Sequence, residues 1–283
     1  MAVRSVSVRK LMMVALRLTW MVYAGLIVGR LAGLPLSWWV VLSPLVVLLA
    51  LSLGQSSGRG RGKRGLRAGP PPAVEVAVPV AGRWSVLNSP ADKVPSHGTH
   101  GYGQTYAIDI IAEPAPGARP AFAWLWPVAR RNEDFPAFGQ PLYAVADATV
   151  VHADDHRRDH LSRNSLAGVA YLLLLESAVR EMGGAGLIVG NHVVLDLGDG
   201  TYAMYAHLQR GSLQVRAGDR VRAGQLLARC GNSGNSSEPH LHFQLMDHPD
   251  LDVASGIPFS WRGIGVPANG EVFRAGDASL SPP

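Results

Sequence analysis

The stretch "GNSGNSSEPHLHFQL", residues 231–245, places two histidines on either side of one leucine, behind a run of small polar residues. Residues two apart on an extended chain project from the same face, so the imidazoles of His240 and His242 can converge on one point. The same alternation of apolar and polar residues is also typical of a half-buried strand. The spacing therefore permits a metal site without establishing one.

Alternating apolar and polar residues also predict strands in two preceding stretches, residues 141–154 and 191–208. The Gly-Asp-Gly at 198–200 predicts a hairpin, because glycine adopts the positive φ that tight turns require. Residues 165–182 predict a helix packed on the sheet, with the serine at 165 as its N-cap and the next two glycines as its stop. The predicted fold class is mainly β, an antiparallel sheet with a helical insertion.

Charge divides the chain near residue 70. The first 70 residues contain ten Lys or Arg and no acidic residue, whereas the remainder has 16 basic and 21 acidic residues, a net charge of −5. The overall charge of +5 therefore belongs to the N-terminal part. Its basic run at 59–67 lies among glycines without an aromatic residue, which argues against a nucleic-acid partner and indicates a basic juxtamembrane linker.

Two apolar segments precede that basic run. Residues 34–53 are uncharged over the roughly 20 residues that cross a bilayer core, and they predict a transmembrane helix. Residues 11–29 are nearly as apolar but include Arg17, so they form either a second span or an uncleaved signal-like stretch. We therefore predict a membrane anchor at 1–54 with one or two spans, a Gly/Pro-rich linker at 55–72 and a folded domain at 73–283.

Three longer motifs occur in a fixed order: "GQPLYAVADATVVHADD", "GNHVVLDLGDGTYAMYAHL" and "VRAGDRVRAGQLLARCGNSGNSSEPHLHFQL". Together they resemble the M23 family of zinc metallopeptidases, the lysostaphin-like or LytM-like endopeptidases that cut peptidoglycan cross-bridges and stem peptides. The resemblance covers about residues 96–246. Tyr-x-His-Leu followed by Gly-Asn-x-Gly and Pro-His-Leu-His-Phe is far more specific than a lone His-x-His.

The resemblance implies one catalytic Zn²⁺ with three nitrogen or oxygen ligands and a fourth position for water. Asp109 in "TYAIDI" and His242 correspond to two of the ligands. His240 and His207, the latter in "YAHL", correspond to the imidazoles beside the metal. Their implied work is to accept the proton of the water and to stabilise the oxyanion at the scissile carbonyl.

The third ligand departs from the family pattern. The usual spacing places a histidine four residues before the aspartate, where this chain has Thr105. His97 and His100 in "PSHGTHGYGQTYAIDI" are the nearest upstream candidates. We favour His97, because its setting with "GQTYAID" resembles a divergent subset of the family. If neither histidine reaches the metal, the domain is a catalytically degenerate module with a binding or regulatory role.

A second group of titratable residues occupies "VVHADDHRRDHL", residues 150–161, with His152, His156 and His160 among several aspartates. Histidines four apart on a helix can bind a metal, but charges of both signs at this density are more typical of a solvated insertion. The single cysteine, Cys230, excludes both an intramolecular disulfide and a thiolate-rich metal site.

The predicted function is that of a membrane-anchored zinc endopeptidase acting on peptidoglycan peptides, with the bond cleaved and the oligomeric state left open. Charge and substrate disagree about its side of the membrane. If both apolar segments span, the flanking Lys and Arg place the domain in the cytoplasm; if only 34–53 spans, the flanks balance. Because peptidoglycan lies outside, we predict an extracytoplasmic catalytic domain.

Overall fold

The structure is a computed structural model that describes residues 2–62 and 72–276. It divides into two compact units, Met1–Pro71 with Glu181–Gly184, and Pro72–Arg180 with Ala185–Pro283. The first unit is mainly two helices, α1 (Ala2–Leu31) and α2 (Trp38–Gly62). Helix α2 continues into the stretch predicted as a linker, whose residues 63–71 lie outside the described part.

Each of the two apolar segments contributes a helix to the described residues. Among the described residues, one helical segment, Lys10–Leu31, is long and apolar enough to cross a membrane by length and composition, whereas the apolar part of α2 is the shorter Trp38–Ala50. Residues 34–53 do not form one continuous helix, because Leu34 precedes a proline and is disfavoured from helical geometry. Helix α2 therefore begins only at Trp38, and α1 is the candidate span.

The second unit carries the β-structure predicted by the alternating patterns, and it is mainly antiparallel. Its described strands are β1 (Val74–Val76), β2 (Gly82–Asn88), β3 (Ile108–Ala112), β4 (Pro141–Tyr143), β5 (Ala148–Asp154), β6 (His192–Asp196), β7 (Tyr202–Ala206), β8 (Arg220–Val221), β9 (Leu226–Arg229), β10 (Leu241–Met246), β11 (Gly256–Ile257), β12 (Phe259–Trp261) and β13 (Val272–Ala275).

The main sheet has the strand order β13-β2-β3-β10-β7-β6-β5-β8, and β11 also pairs with β10. Two small pairings complete the unit: β4 is antiparallel to β9, and β1 is parallel to β12. Strand β10 lies between β3 and β7, and all six of its residues are buried. Residues 241–246 thus form a central strand that is buried on both faces, rather than a half-buried strand.

Alternation along β10 separates the core from the site. Leu241, Phe243 and Leu245 belong to the hydrophobic core, which also contains residues of both small strand pairs. His242 and Gln244 project from the opposite face, since side chains on a strand alternate. One face of β10 therefore supplies hydrophobic stabilisation while the other presents polar groups in a buried setting.

Strands β6 and β7 form the predicted hairpin. They pair in antiparallel register, and the turn contains Gly198, Asp199 and Gly200, all with positive φ. Leu197 N–H donates to Thr201 O at 2.9 Å, which closes the turn. The hairpin ends with His207 immediately after β7, so the turn chemistry at 198–200 helps to set the position of a predicted site residue.

The predicted helix at 165–182 is present as α3 (Leu166–Tyr171), one π-helical segment (Leu172–Glu176) and α4 (Ser177–Gly183), followed by α5 (Ala185–Val189). The Ser165 hydroxyl accepts from Gly168 N–H at 2.9 Å, which confirms the predicted N-cap. The predicted packing on the sheet is wrong. Leu173 and Leu174 are 63% and 75% exposed, because the π-helical segment turns only Leu172 into the interior.

Candidate active site

Strand pairing aligns the candidate site across three neighbouring strands. Asp109 on β3 lies directly opposite His242 on β10, and His242 lies opposite Ala206 on β7. His207 follows Ala206, and His240 precedes His242 by two residues. Directly opposed residues project from the same face of a sheet, so the register itself gathers these side chains.

The three residues predicted as metal ligands come together. His97 Nε2 lies 2.8 Å from Asp109 Oδ2, and His242 Nδ1 lies 2.9 Å from Asp109 Oδ1. The two imidazole rings are 4.8 Å apart between centroids, in an edge-to-face arrangement. Ligand atoms of all three residues lie within 4.8 Å of one another. Two imidazoles and one carboxylate form a donor set that suits zinc.

A closed loop brings His97 back to Asp109 although the two are twelve residues apart. Ser96 N–H donates to Thr105 O at 3.2 Å, which closes the loop just before β3. His100 lies outside the cluster, and its Nδ1 is 3.1 Å from Thr105 Oγ1. The structure therefore places His97, and not His100, beside the Asp109 carboxylate. The family pattern expects the histidine at position 105, where this chain has a threonine.

The two histidines predicted to act beside the metal are adjacent to this cluster. His240 Nε2 lies 3.6 Å from Asp109 Oδ1, and its ring centroid is 4.7 Å from that of His207. His207 and His242 are 5.7 Å apart between centroids. His207 has a φ of +60°, an uncommon value for a residue with a side chain, and such strain concentrates at functional sites.

Hydrogen bonds fix which nitrogen of each ligand imidazole faces the carboxylate. Gln244 Nε2 donates to Tyr102 O at 2.8 Å, so its Oε1 accepts from His242 Nε2–H at 3.0 Å. The Nδ1 lone pair of His242 then points at the cluster. His97 Nδ1 is 3.0 Å from the Ser96 hydroxyl, which donates to a backbone carbonyl and accepts from His97. Each ligand imidazole thus has an outer partner that sets its tautomer.

The other two imidazoles are oriented by backbone carbonyls. His207 Nδ1–H donates to Ser233 O at 2.8 Å, and His240 Nδ1–H donates to Glu238 O at 2.8 Å. Both rings therefore present an Nε2 lone pair to the cluster when neutral. Such a nitrogen accepts a proton, and the protonated ring then becomes a hydrogen-bond donor.

Burial and mutual charge tune these groups. Burial raises the pKa of Asp109, but the imidazoles of His97 and His240 outweigh it and hold that pKa well below its usual range. Burial lowers the pKa of His207 well below the usual value and also lowers the pKa of His242. For His240, burial acts in the same direction but the charge of Asp109 raises its pKa overall. The carboxylate is therefore ionised and the His242 imidazole neutral, as metal ligation requires.

Sequence reasoning missed the residues that support this arrangement. Gln244 continues the alternation of His240 and His242, so its place on the same face was readable from the sequence. Gly103 was not readable in this way: it has a φ of +74°, and a Cβ there would lie 2.7 Å from Gln244 Nε2. Glu238 is buried and is held by an ion pair with Arg119, which anchors the loop that carries His240.

The predicted solvated character of residues 150–161 agrees with their exposure, since every residue from 151 to 161 is exposed or half-buried. The stretch is the end of β5 followed by a loop, so its histidines do not form a helical row. Asp155 accepts from the N–H groups of Gly211 and Leu213, at 2.7 and 3.0 Å. Asp159 accepts from Arg210 and Asn232 N–H at 3.0 and 2.7 Å. These carboxylates bind backbone donors of the loops that follow His207 and Cys230, which gives the charges a structural purpose.

Part of this chain is similar to known peptidases. Residues 175–252 match the model of Peptidase family M23. Glycyl-glycine endopeptidase ALE-1 of Staphylococcus capitis is 36% identical over 80 residues, 28% of this chain and 22% of that protein. Peptidoglycan DD-endopeptidase ShyA of Vibrio cholerae is 37% identical over 73 residues, 25% of this chain and 16% of that protein. The chain thus spans less than a quarter of the length of these curated relatives.

The catalytic domain of the antimicrobial peptidase lysostaphin from Staphylococcus simulans aligns with 56% of this chain and 86% of its own, with 20% identity and a TM-score of 0.31. The similarity to peptidase family M23 rests on the segment at 175–252. That segment contains His207, His240 and His242, whereas His97 and Asp109 lie outside it. The predicted resemblance is confirmed, and the divergent part of the site is the part upstream of the matched segment.

Proposed function

We propose that this chain is a zinc-dependent endopeptidase that hydrolyses peptide bonds of peptidoglycan. The observation that carries the proposal is the convergence of four imidazoles and one carboxylate, each imidazole held with a lone pair facing the cluster. A degenerate binding module has no need for two further oriented histidines beside a complete ligand set. The arrangement therefore favours a working hydrolase.

Each side chain has a role in this proposal. His97, Asp109 and His242 would hold the ion. A bound zinc supplies Lewis-acid chemistry, lowering the pKa of water to about 7 and polarising a carbonyl. His207 and His240 form the acid–base pair, with one Nε2 accepting the proton of the attacking water. The protonated imidazole then donates to the oxyanion or to the leaving amine.

The substrate class comes from the relatives. ALE-1 is named a glycyl-glycine endopeptidase and ShyA a peptidoglycan DD-endopeptidase. We extend to this chain the shared chemistry, hydrolysis of an internal peptide bond, with a peptidoglycan peptide as the substrate class. The partners we propose are therefore a peptidoglycan peptide and, through the N-terminal helix, a membrane, with no nucleic acid.

The proposed location is the cell membrane, with the catalytic unit on the extracytoplasmic side. With α1 as the sole span, its N-terminal flank carries Arg4, Arg9 and Lys10, whereas Arg30 is followed by no basic residue until Arg59. Basic residues near a span favour the cytoplasm, so this asymmetry puts the N-terminus inside and the rest of the chain outside. Charge and substrate then agree, unlike the arrangements in which residues 34–53 span.

The enzymatic proposal is tested with purified full-length chain and isolated peptidoglycan. We expect peptide products by mass spectrometry, lost on chelation and restored by zinc. His240→Ala is the inactive control and His248→Ala the matched histidine control. The degenerate module predicts the opposite result, with neither zinc bound at this site nor cleavage.

Location is tested separately by adding protease to cells whose wall has been removed. We expect digestion of the domain in intact cells. Protection until lysis would place the domain in the cytoplasm and contradict the proposed side.

A further inference from the structure

A second cluster of histidine and aspartate lies where β5 ends and β6 begins. Asp154 is directly opposite His192 in the strand register, and His152 precedes Asp154 by two residues on the same face. One ligand atom from each of these residues lies within 4.8 Å of the others. The cluster shares no residue with the catalytic site, and the proposed function leaves it without a role.

The atoms of this cluster are in states suited to ligation. His192 is 5% exposed, and its Nδ1–H donates to Gly190 O at 2.8 Å, which leaves the Nε2 lone pair available. Asp154 Oδ1 is buried, and His156 Nδ1 lies 2.6 Å from it.

We propose that His152, Asp154 and His192 bind a second divalent transition-metal ion of the zinc type, with His156 as the fourth ligand. Zinc bonds of about 2.0–2.2 Å place neighbouring ligand atoms roughly 3.3–3.5 Å apart. The present separations, up to 4.8 Å, therefore close by about 1.5 Å at most, and rotation of the exposed His152 side chain can supply this change. Its ring already stacks on His192 at 4.5 Å between centroids.

One cation competes for the same carboxylate. Arg157 Nη2 lies 3.6 Å from Asp154 Oδ2, and its Nε is buried without a hydrogen bond. An ion pair between Arg157 and Asp154 is the simple alternative to a metal site. The two make opposite predictions for Arg157→Gln: removing the guanidinium tightens metal binding if the site is real, and yields no metal binding if the ion pair is all there is.

An ion here would join the two ends of the insertion at residues 155–191. Asp155 and Asp159, just after β5, bind backbone N–H groups at Gly211 and Asn232. Those groups belong to the loops that follow His207 and precede His240. The second ion would therefore stabilise the scaffold of the active site without contacting its chemistry.

The test uses full-length protein freed of metal and then titrated with Zn²⁺ alone, with bound metal counted after equilibrium dialysis. In His242→Ala, which lacks a ligand of the first site, we expect one zinc to remain. His152→Ala and Asp154→Asn in that background should each weaken zinc binding by at least about 10-fold, because loss of an outer-shell partner alone typically costs about 10- to 100-fold. His248→Ala in the same background is the matched control.

Two outcomes would overturn the second site: no zinc bound by the folded His242→Ala protein, or unchanged affinity after Asp154→Asn. If His242→Ala does not fold, wild type should bind two zinc ions and Asp154→Asn one. Failure of the first site alone is distinguishable, because wild type and His242→Ala would then bind the same single ion. In wild type, Asp154→Asn should also remove part of the thermal stabilisation that zinc confers.

Discussion

The cluster of His97, Asp109 and His242 and the cluster of His152, Asp154 and His192 use the same device: a carboxylate and an imidazole face each other across paired antiparallel strands. They differ in what surrounds them. In the first, His242 is 2% exposed and both imidazoles have partners that fix the tautomer. In the second, among the contacts described, only the buried His192 is held in this way.

This difference indicates what a pair of cross-strand ligands needs, beyond strand register, to form a catalytic centre. Register brings ligand atoms near one another in both clusters, but outer hydrogen bonds orient lone pairs in advance and reduce the cost of ordering on metal binding. The first cluster also has His207 and His240 beside it. We therefore expect the first site to bind zinc more tightly and to be the one that performs chemistry.

The largest difference between the two clusters is expected when a ligand is removed from the first one. His97→Ala should abolish zinc binding there and, with it, peptidoglycan hydrolysis, because two protein ligands leave the ion unsupported. His100→Ala is the matched control and should retain both. Metal analysis and digestion of both variants check this; retention of zinc in His97→Ala together with its loss in His100→Ala would identify the wrong third ligand.

A smaller effect is expected when the ligands stay and the acid–base pair is broken. His207→Ala and His240→Ala should keep zinc at the first cluster but lose about 10²- to 10⁴-fold in turnover, the usual contribution of a positioned general base or oxyanion donor. Turnover and bound zinc should be measured on the same preparations. Near-normal turnover in either variant is incompatible with the assigned pair.

Removing an outer partner tests orientation directly. Gln244→Leu should weaken zinc binding about 10- to 100-fold, since His242 loses the acceptor that holds its Nε2–H. Competition with a metal indicator measures the affinity, and Gln214→Leu, at a distant glutamine, is the control. If Gln244→Leu binds zinc with the affinity of the wild type, the zinc affinity of the first cluster comes from the ligands alone.

The smallest effect is expected at the exposed edge of the second cluster. The His156 side chain is 74% exposed, so binding it to an ion costs rotamer freedom that offsets much of the gain. His156→Ala should therefore weaken zinc at the second cluster by less than about tenfold, or 1.4 kcal/mol. Titration in the His242→Ala background measures it, and a loss as large as that of Asp154→Asn would make His156 an equal ligand.

Much of the fold was predictable because it depends on local pattern. The alternation at 191–208 with Gly-Asp-Gly at its centre predicts β6, β7 and their hairpin, and the structure contains them. The N-cap at Ser165 was equally local. The packing of that helix was not, since exposure of Leu173 and Leu174 depends on which turn meets the rest of the unit. The same limit applied to residues 34–53, where a proline interrupts an otherwise apolar run.

Local sequence patterns were sufficient to predict the strand that carries His240 and His242, the hairpin that precedes His207, and the side chains available as ligands. Periodicity and turn chemistry act over a few residues, so these features could be inferred from short stretches. Only the tertiary structure decided that His97 rather than His100 meets Asp109, and that His192 meets Asp154 from a strand beyond the whole insertion. Loop closure between Ser96 and Thr105 and the register of β5 on β6 set these contacts. Both depend on pairings between distant segments, which no local pattern encodes.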